Sequence, residues 1–62
     1  MKRAIYVGTT PMKRVGPRDS ELYLGFGMTG MVAWGGAGAY RFDADGSESW
    51  WVEAKDLYFP RG

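Results

Sequence analysis

The sequence predicts an all-β fold: one small five-stranded antiparallel barrel with a long first loop. Three observations carry this expectation. No segment of the 62 residues keeps a helical period, and ten glycines and three prolines interrupt the chain often. Short runs rich in Val, Ile, Tyr, Phe and Trp alternate with turn residues, the pattern of strands joined by tight connections. Three Trp, four Tyr and three Phe then supply the mass of a small core, each ring burying roughly 150–250 Å².

The elements follow in order. KRAIYVG (2–8) reads as a first strand ended by Gly8, with Ile5 and Val7 on one face and Ala4 and Tyr6 on the other. TTPMKRVGPRDSE (9–21) carries Pro11, Gly16 and Pro17 without a clean period and reads as a long loop of irregular hairpin character. LYLGFG (22–27) is short and apolar, a loop arm folding back onto the core. MTGMVAWG (28–35) is a second strand, in which Gly30, Val32 and Trp34 alternate with Thr29, Met31 and Ala33. GAG (36–38) is a turn, and AYRFDA (39–44) a third strand with Tyr40 and Phe42 inward and Arg41 and Asp43 outward. DGS (45–47) signals a hairpin, because Asp-Gly tolerates the positive φ of a type I′ turn. ESWWVEA (48–54) is the fourth strand, and KDLYF (55–59) makes one tight turn into a short last strand that Pro60 stops.

Size limits what such a chain can do. Residues 1–62 make a single domain, and a chain of this length buries only about 60% of its unfolded surface. There is no cysteine and no histidine, so neither a disulfide nor a thiolate metal site supports the core. Charge is unevenly spread: residues 1–18 hold five cations and no acid, residues 19–62 three cations and seven acids, for a net +1. Lys2 and Arg3 precede only AIYVG, which falls short of a signal peptide. Leu22 to Tyr40 runs nineteen residues without a charge, but six are glycine, each costing about 0.8–1 kcal/mol in a helix interior, which argues against a membrane helix. The expectation is a cytoplasmic protein without a membrane partner. A short frame of this kind suits a bacterial or phage accessory protein.

A family resemblance enters with this order of elements. Gly30 and Val32 in TGMV, Tyr40 to Phe42 in YRF, and Asp56 and Leu57 in KDL fall where the SH3-like small β-barrel has its second strand, third strand and the single turn before its last strand. The chain resembles that family over most of its length, at the superfamily level. Signalling SH3 domains carry an ALYDY-type stretch in the first strand, where AIYVG stands here without the acid. Their paired tryptophans also precede a P-x-x-Y segment by a longer interval than that from Trp50 to Leu57. The resemblance therefore implies the fold, and neither a proline-peptide site nor any ligand residue.

Chemistry-bearing motifs are sparse. GFGMTG (25–30) fits G-x-G-x-x-G, but that fingerprint binds a dinucleotide only between a strand and a helix, and the following MVAWGGAG is too glycine-rich for a helix. DADGSE (43–48) resembles the start of a calcium loop, yet reaches Glu48 at its sixth position and passes into a strand, so a hairpin turn is the better reading. Without His or Cys the usual nucleophile–base pairs are missing. The chain reads as a non-enzyme with no cofactor, no metal and no small-molecule substrate.

The aromatic residues remain. Trp50 and Trp51 are neighbours, and neighbours in a strand point to opposite faces. With Trp50 and Val52 inward, Trp51 faces outward beside Ser49 and Glu53; the opposite register would turn Glu53 into the core. The same alternation places Tyr6 and Tyr58 outside, with Leu57 and Phe59 inside. Trp51, Tyr6, Tyr58 and Met31 are thus the candidate protein-binding residues, exposed Trp and Tyr being enriched at binding hot spots. Alternatively these rings cover the far side of a thin barrel or pack under the 9–21 loop. Two functions follow. The first is a protein-interaction module, self-association being its simplest form. The second is a nucleic-acid-binding barrel in which Lys2, Arg3, Lys13, Arg14 and Arg18 contact phosphates. Four acids near Trp51 (Asp43, Asp45, Glu48, Glu53) and a pI near 8.1 favour the first.

Overall fold

The computed structural model describes residues 2–45 and 48–61. The chain is all-β. Its strands are β1 (Lys2–Tyr6), β2 (Met12–Val15), β3 (Glu21–Leu24), β4 (Thr29–Gly36), β5 (Ala39–Ala44), β6 (Ser49–Glu53) and β7 (Leu57–Tyr58). Single 3-10 turns at Pro17–Asp19 and Ala54–Asp56 separate β2 from β3 and β6 from β7. Five strands form one antiparallel sheet in the order β6-β5-β4-β1-β7, and β2 pairs with β3 as a separate hairpin. The expected DGS turn includes Gly46 and Ser47, which lie outside the described residues.

The sheet is curled but not closed: β6 and β7 are its two edges. Two rings register the curl. Tyr40 lies on β5 and Phe59 just past β7, three strand spacings apart, or about 14 Å on a flat sheet. Their ring centroids are 5.5 Å apart across the concave face. That face carries the core: Ala4, Tyr6, Val32, Phe42, Ala44, Trp50, Val52 and Leu57, all buried. The β2–β3 hairpin lies over it, adding fully buried Leu24 and partly buried Met12 and Leu22. Of the segment 22–27, expected as a loop arm, residues 22–24 belong to β3 and only Leu22 and Leu24 reach the core; Tyr23 and Phe26 are exposed.

Two expectations are corrected. The long loop of irregular hairpin character expected over 9–21 is instead a regular hairpin that runs on to residue 24, with β2 paired to β3 from Met12↔Leu24 to Val15↔Glu21. Pairing was hard to read because Met12, Arg14, Leu22 and Leu24 share the inner face, and Arg14 interrupts the apolar alternation. Its guanidinium carbon lies 4.3 Å from the Trp50 ring centroid, a cation–π contact in place of an aliphatic side chain. The second correction concerns β1. Tyr6, expected outward, is only 2% exposed, and the outer position falls to Ile5, opposite Thr29 and Tyr58. AIYV is apolar at four consecutive positions, so hydropathy alone cannot set its parity. The Tyr6 hydroxyl settles the matter by donating to the Thr10 carbonyl at 2.9 Å, which lets the phenol be buried without an orphaned polar group.

No helix of the described residues is long and apolar enough to cross a membrane. The GFGMTG glycines sit in the connection between β3 and β4, where the Met28 amide donates to the Gly25 carbonyl at 3.2 Å. No helix follows them, so the strand–helix setting that fingerprint needs is not there.

Candidate functional site

The β6 strand divides its two indoles as alternation requires. Trp50 is 3% exposed and Val52 2%, whereas Trp51 is 63% exposed with Ser49 and Glu53 beside it. Burial of Trp50 is not free: its Nε1–H finds no acceptor among the described residues. Trp51 stands out in solvent but does not hang loose. Its ring lies so close over Gly35 of β4 that a side-chain carbon at that position would collide with it. A larger residue there would push the ring away, so Gly35 gives the exposed indole its seat.

Backbone geometry adds a second property to β6. The Ala44 amide donates to the Glu48 carbonyl, and the Ala54 amide to the Gly38 carbonyl. In an antiparallel ladder, directly opposed residues alternate between bonded and non-bonded pairs. The β5–β6 register then makes Phe42↔Trp50 and Tyr40↔Val52 bonded pairs, and Asp43↔Ser49, Arg41↔Trp51 and Ala39↔Glu53 non-bonded ones. The N–H and C=O groups of Ser49, Trp51 and Glu53 therefore point away from β5, along the free edge of the sheet. β7 is the other edge, but it has two residues and is followed by Pro60 two positions on.

The outer face around Trp51 is otherwise polar. Ser49 Oγ donates to Asp43 Oδ1 at 2.6 Å, and Arg41 bonds Asp43 Oδ2 at 3.2 Å. One strand further, Arg3 bonds Asp45 Oδ2 at 3.0 Å and the Thr29 hydroxyl bonds the same oxygen. The Ser49 hydroxyl, and then Arg41, hold Asp43 below the usual carboxylate range; Thr29 and then Arg3 do the same for Asp45.

The sequence-predicted residues divide as follows. Trp51, Met31 and Tyr58 share the outer face, but on β6, β4 and β7, so four strand spacings, about 19 Å on a flat sheet, separate Trp51 from Tyr58. They form no continuous patch, and buried Tyr6 belongs to the other face. The five N-terminal cations are scattered too. Lys2 faces the concave side, 5.7 Å from the Phe59 ring centroid, while Arg3 is paired with Asp45 on the convex side. Lys13 and Arg14 are on opposite faces of the hairpin, and Arg18 is at its tip.

Sequence reasoning missed Trp34. The alternation groups it with Gly30 and Val32, and it does lie on their side of the sheet, but it is 60% exposed. It makes an edge-on contact with Tyr40 at 4.9 Å between centroids, beside an open depression of about 330 Å³ lined by Lys2, Val32, Ala33, Trp34 and Tyr40. The nearby GAG turn was the available signal, since a strand end next to a turn runs past the cover of the core. Among the described residues no group of three or more acids could hold a metal ion.

Family models give no match to this chain, nor does a curated protein or a solved structure.

Proposed function

We propose that this chain is a non-catalytic protein-interaction module of the SH3-like small-barrel type, binding through β6. The strand order β7-β1-β4-β5-β6, with an elaborated first connection and a single 3-10 turn before the last strand, supports the barrel class. The observation that carries the function is Trp51: an indole 63% exposed yet seated on Gly35, on a strand whose outward backbone groups have no partner among the described residues. An ordered exposed indole has already lost much of the conformational freedom that binding would remove, so its contact area converts efficiently into affinity. Scattering of the cations favours protein over nucleic acid as partner, since phosphate binding wants them on one surface.

The test is Trp51→Ala in the intact chain. The variant is expected to keep the wild-type circular dichroism and melt cooperatively, while losing partners that wild type captures from lysate with or without nuclease. Unfolding of the variant, or capture of the same partners, would show that Trp51 is not the binding residue. Capture abolished by nuclease would instead point to nucleic acid.

A further inference from the structure

We infer that the partner of β6 is a second copy of this chain, joined antiparallel about a two-fold axis through Trp51. This inference rests on the reading of β6 as the binding strand and names its occupant. Three features of the strand lead to it.

The first is that the edge is unprotected. Natural sheets blunt their edges with lysine, proline, bulges, very short strands or a covering element. β7 uses shortness and the nearby Pro60. β6 has five residues, SWWVE, with no lysine, no proline and no break in register against β5. Its one charged residue, Glu53, is at the end and has Lys55 Nζ at 3.9 Å.

The second is parity. A two-fold axis can pass between two residues whose N–H and C=O point off the edge (Ser49, Trp51 or Glu53) or between two that face β5 (Trp50 or Val52), but an axis at Trp50 or Val52 overlaps only three residues of β6. Trp51 is the middle residue of β6, so an axis through it overlaps all five residues of both strands. An axis at Ser49 or Glu53 overlaps fewer. With the axis at Trp51, the three outward residues of each copy meet as Trp51–Trp51, Ser49–Glu53 and Glu53–Ser49. Every outward N–H then finds a carbonyl.

The third is the side-chain match. On the outer face the two Trp51 backbones oppose each other at the axis with each ring leaning back over its own Gly35, and Ser49 faces the carboxylate of Glu53 in the second copy, with no like charges opposed. On the inner face Trp50 faces Val52 of the second copy, apolar against apolar, extending both cores into one sheet. An isologous contact demands such self-complementarity, residue i meeting j and j meeting i. A foreign strand would not require it. The two half-barrels thereby become one ten-stranded sheet, adding buried surface to a chain too short to bury much alone.

Sedimentation equilibrium on the whole chain, from micromolar to millimolar, tests this. Wild type is expected to show a monomer–dimer equilibrium. Trp51→Pro, which removes an outward N–H and the indole without breaking a bond to β5, though it also fixes φ there, should leave a monomer at all concentrations. Should Trp51→Pro fail to fold, surface charges decide. Ser49→Lys sets a lysine opposite Glu53 of the second copy and should tighten the dimer several-fold. Adding Glu53→Lys opposes lysine to lysine and should weaken it to below wild type. A wild-type monomer throughout that still shows Trp51-dependent capture overturns the dimer and leaves the binding strand standing. A wild-type monomer without such capture overturns both. A dimer indifferent to these substitutions places the contact elsewhere and overturns the inference.

Discussion

Trp50 and Trp51 show how much one step along a strand changes a residue's energetics. Trp50→Ala empties a filled core position and is expected to cost about 3–5 kcal/mol, enough to unfold so small a domain, whereas Trp51→Ala should stay within about 1 kcal/mol of wild type. Urea denaturation of the two variants side by side checks this. Similar losses for both would mean that the indoles do not differ in burial. Tyr6 offers a finer test. Tyr6→Phe keeps the ring and removes the hydrogen bond to the Thr10 carbonyl, so it should lose about 1 kcal/mol in the same assay. An unchanged midpoint would show that the hydroxyl contributes nothing net. Burial, with Asp56 nearby, also raises the Tyr6 phenol above its ordinary range.

At the level of the elements, the turn between β4 and β5 carries a mismatch between residue and conformation. Ala37 and Gly38 both have positive φ, 53° and 76°, as a type I′ turn requires, but alanine disfavours that region. Ala37→Asn creates the preferred Asn-Gly pair and should stabilise the domain by about 0.5–1 kcal/mol, read as a higher melting temperature. A lower melting temperature would contradict the turn assignment. These elements also show what sequence could tell. β5 was legible because Arg41 and Asp43 alternate with Tyr40 and Phe42, and β6 because the Glu53 carboxylate decides the parity of SWWVE. β1 was not, because Ala4 to Val7 offer no polar residue to mark the outer face. The β2–β3 hairpin was only half legible, since Arg14 fills an inner position by stacking on Trp50. The site was legible as far as Trp51. That β6 is an edge follows from strand order, which no local pattern encodes, and the exposure of Trp34 follows from where the hairpin cover stops.

Across the whole molecule, one face is an apolar trough, while the other carries polar contacts through Asp43 and Asp45 among exposed apolar residues, and those contacts give the fold a pH dependence. Asp43 and Asp45 are held below their ordinary range, so the folded state keeps both carboxylates ionised to lower pH than the unfolded state does. Their contribution is present above the unfolded value, about 3.9, and is lost as pH falls through the folded values. Wild type should therefore lose melting temperature on acidification below about pH 4, and the Asp43→Asn, Asp45→Asn double variant should lose less. Equal losses would rule out these two groups. The same two-faced sheet sends Trp50 to the trough and frees Trp51 at the edge, and amide hydrogen exchange along β6, read residue by residue by NMR, tests that division most directly. At low protein concentration the Trp50 and Val52 amides, bonded to β5, should exchange slowly, and those of Ser49, Trp51 and Glu53 fast. Equal protection of Trp50 and Trp51 in dilute monomer, or faster exchange at Trp50, would contradict it.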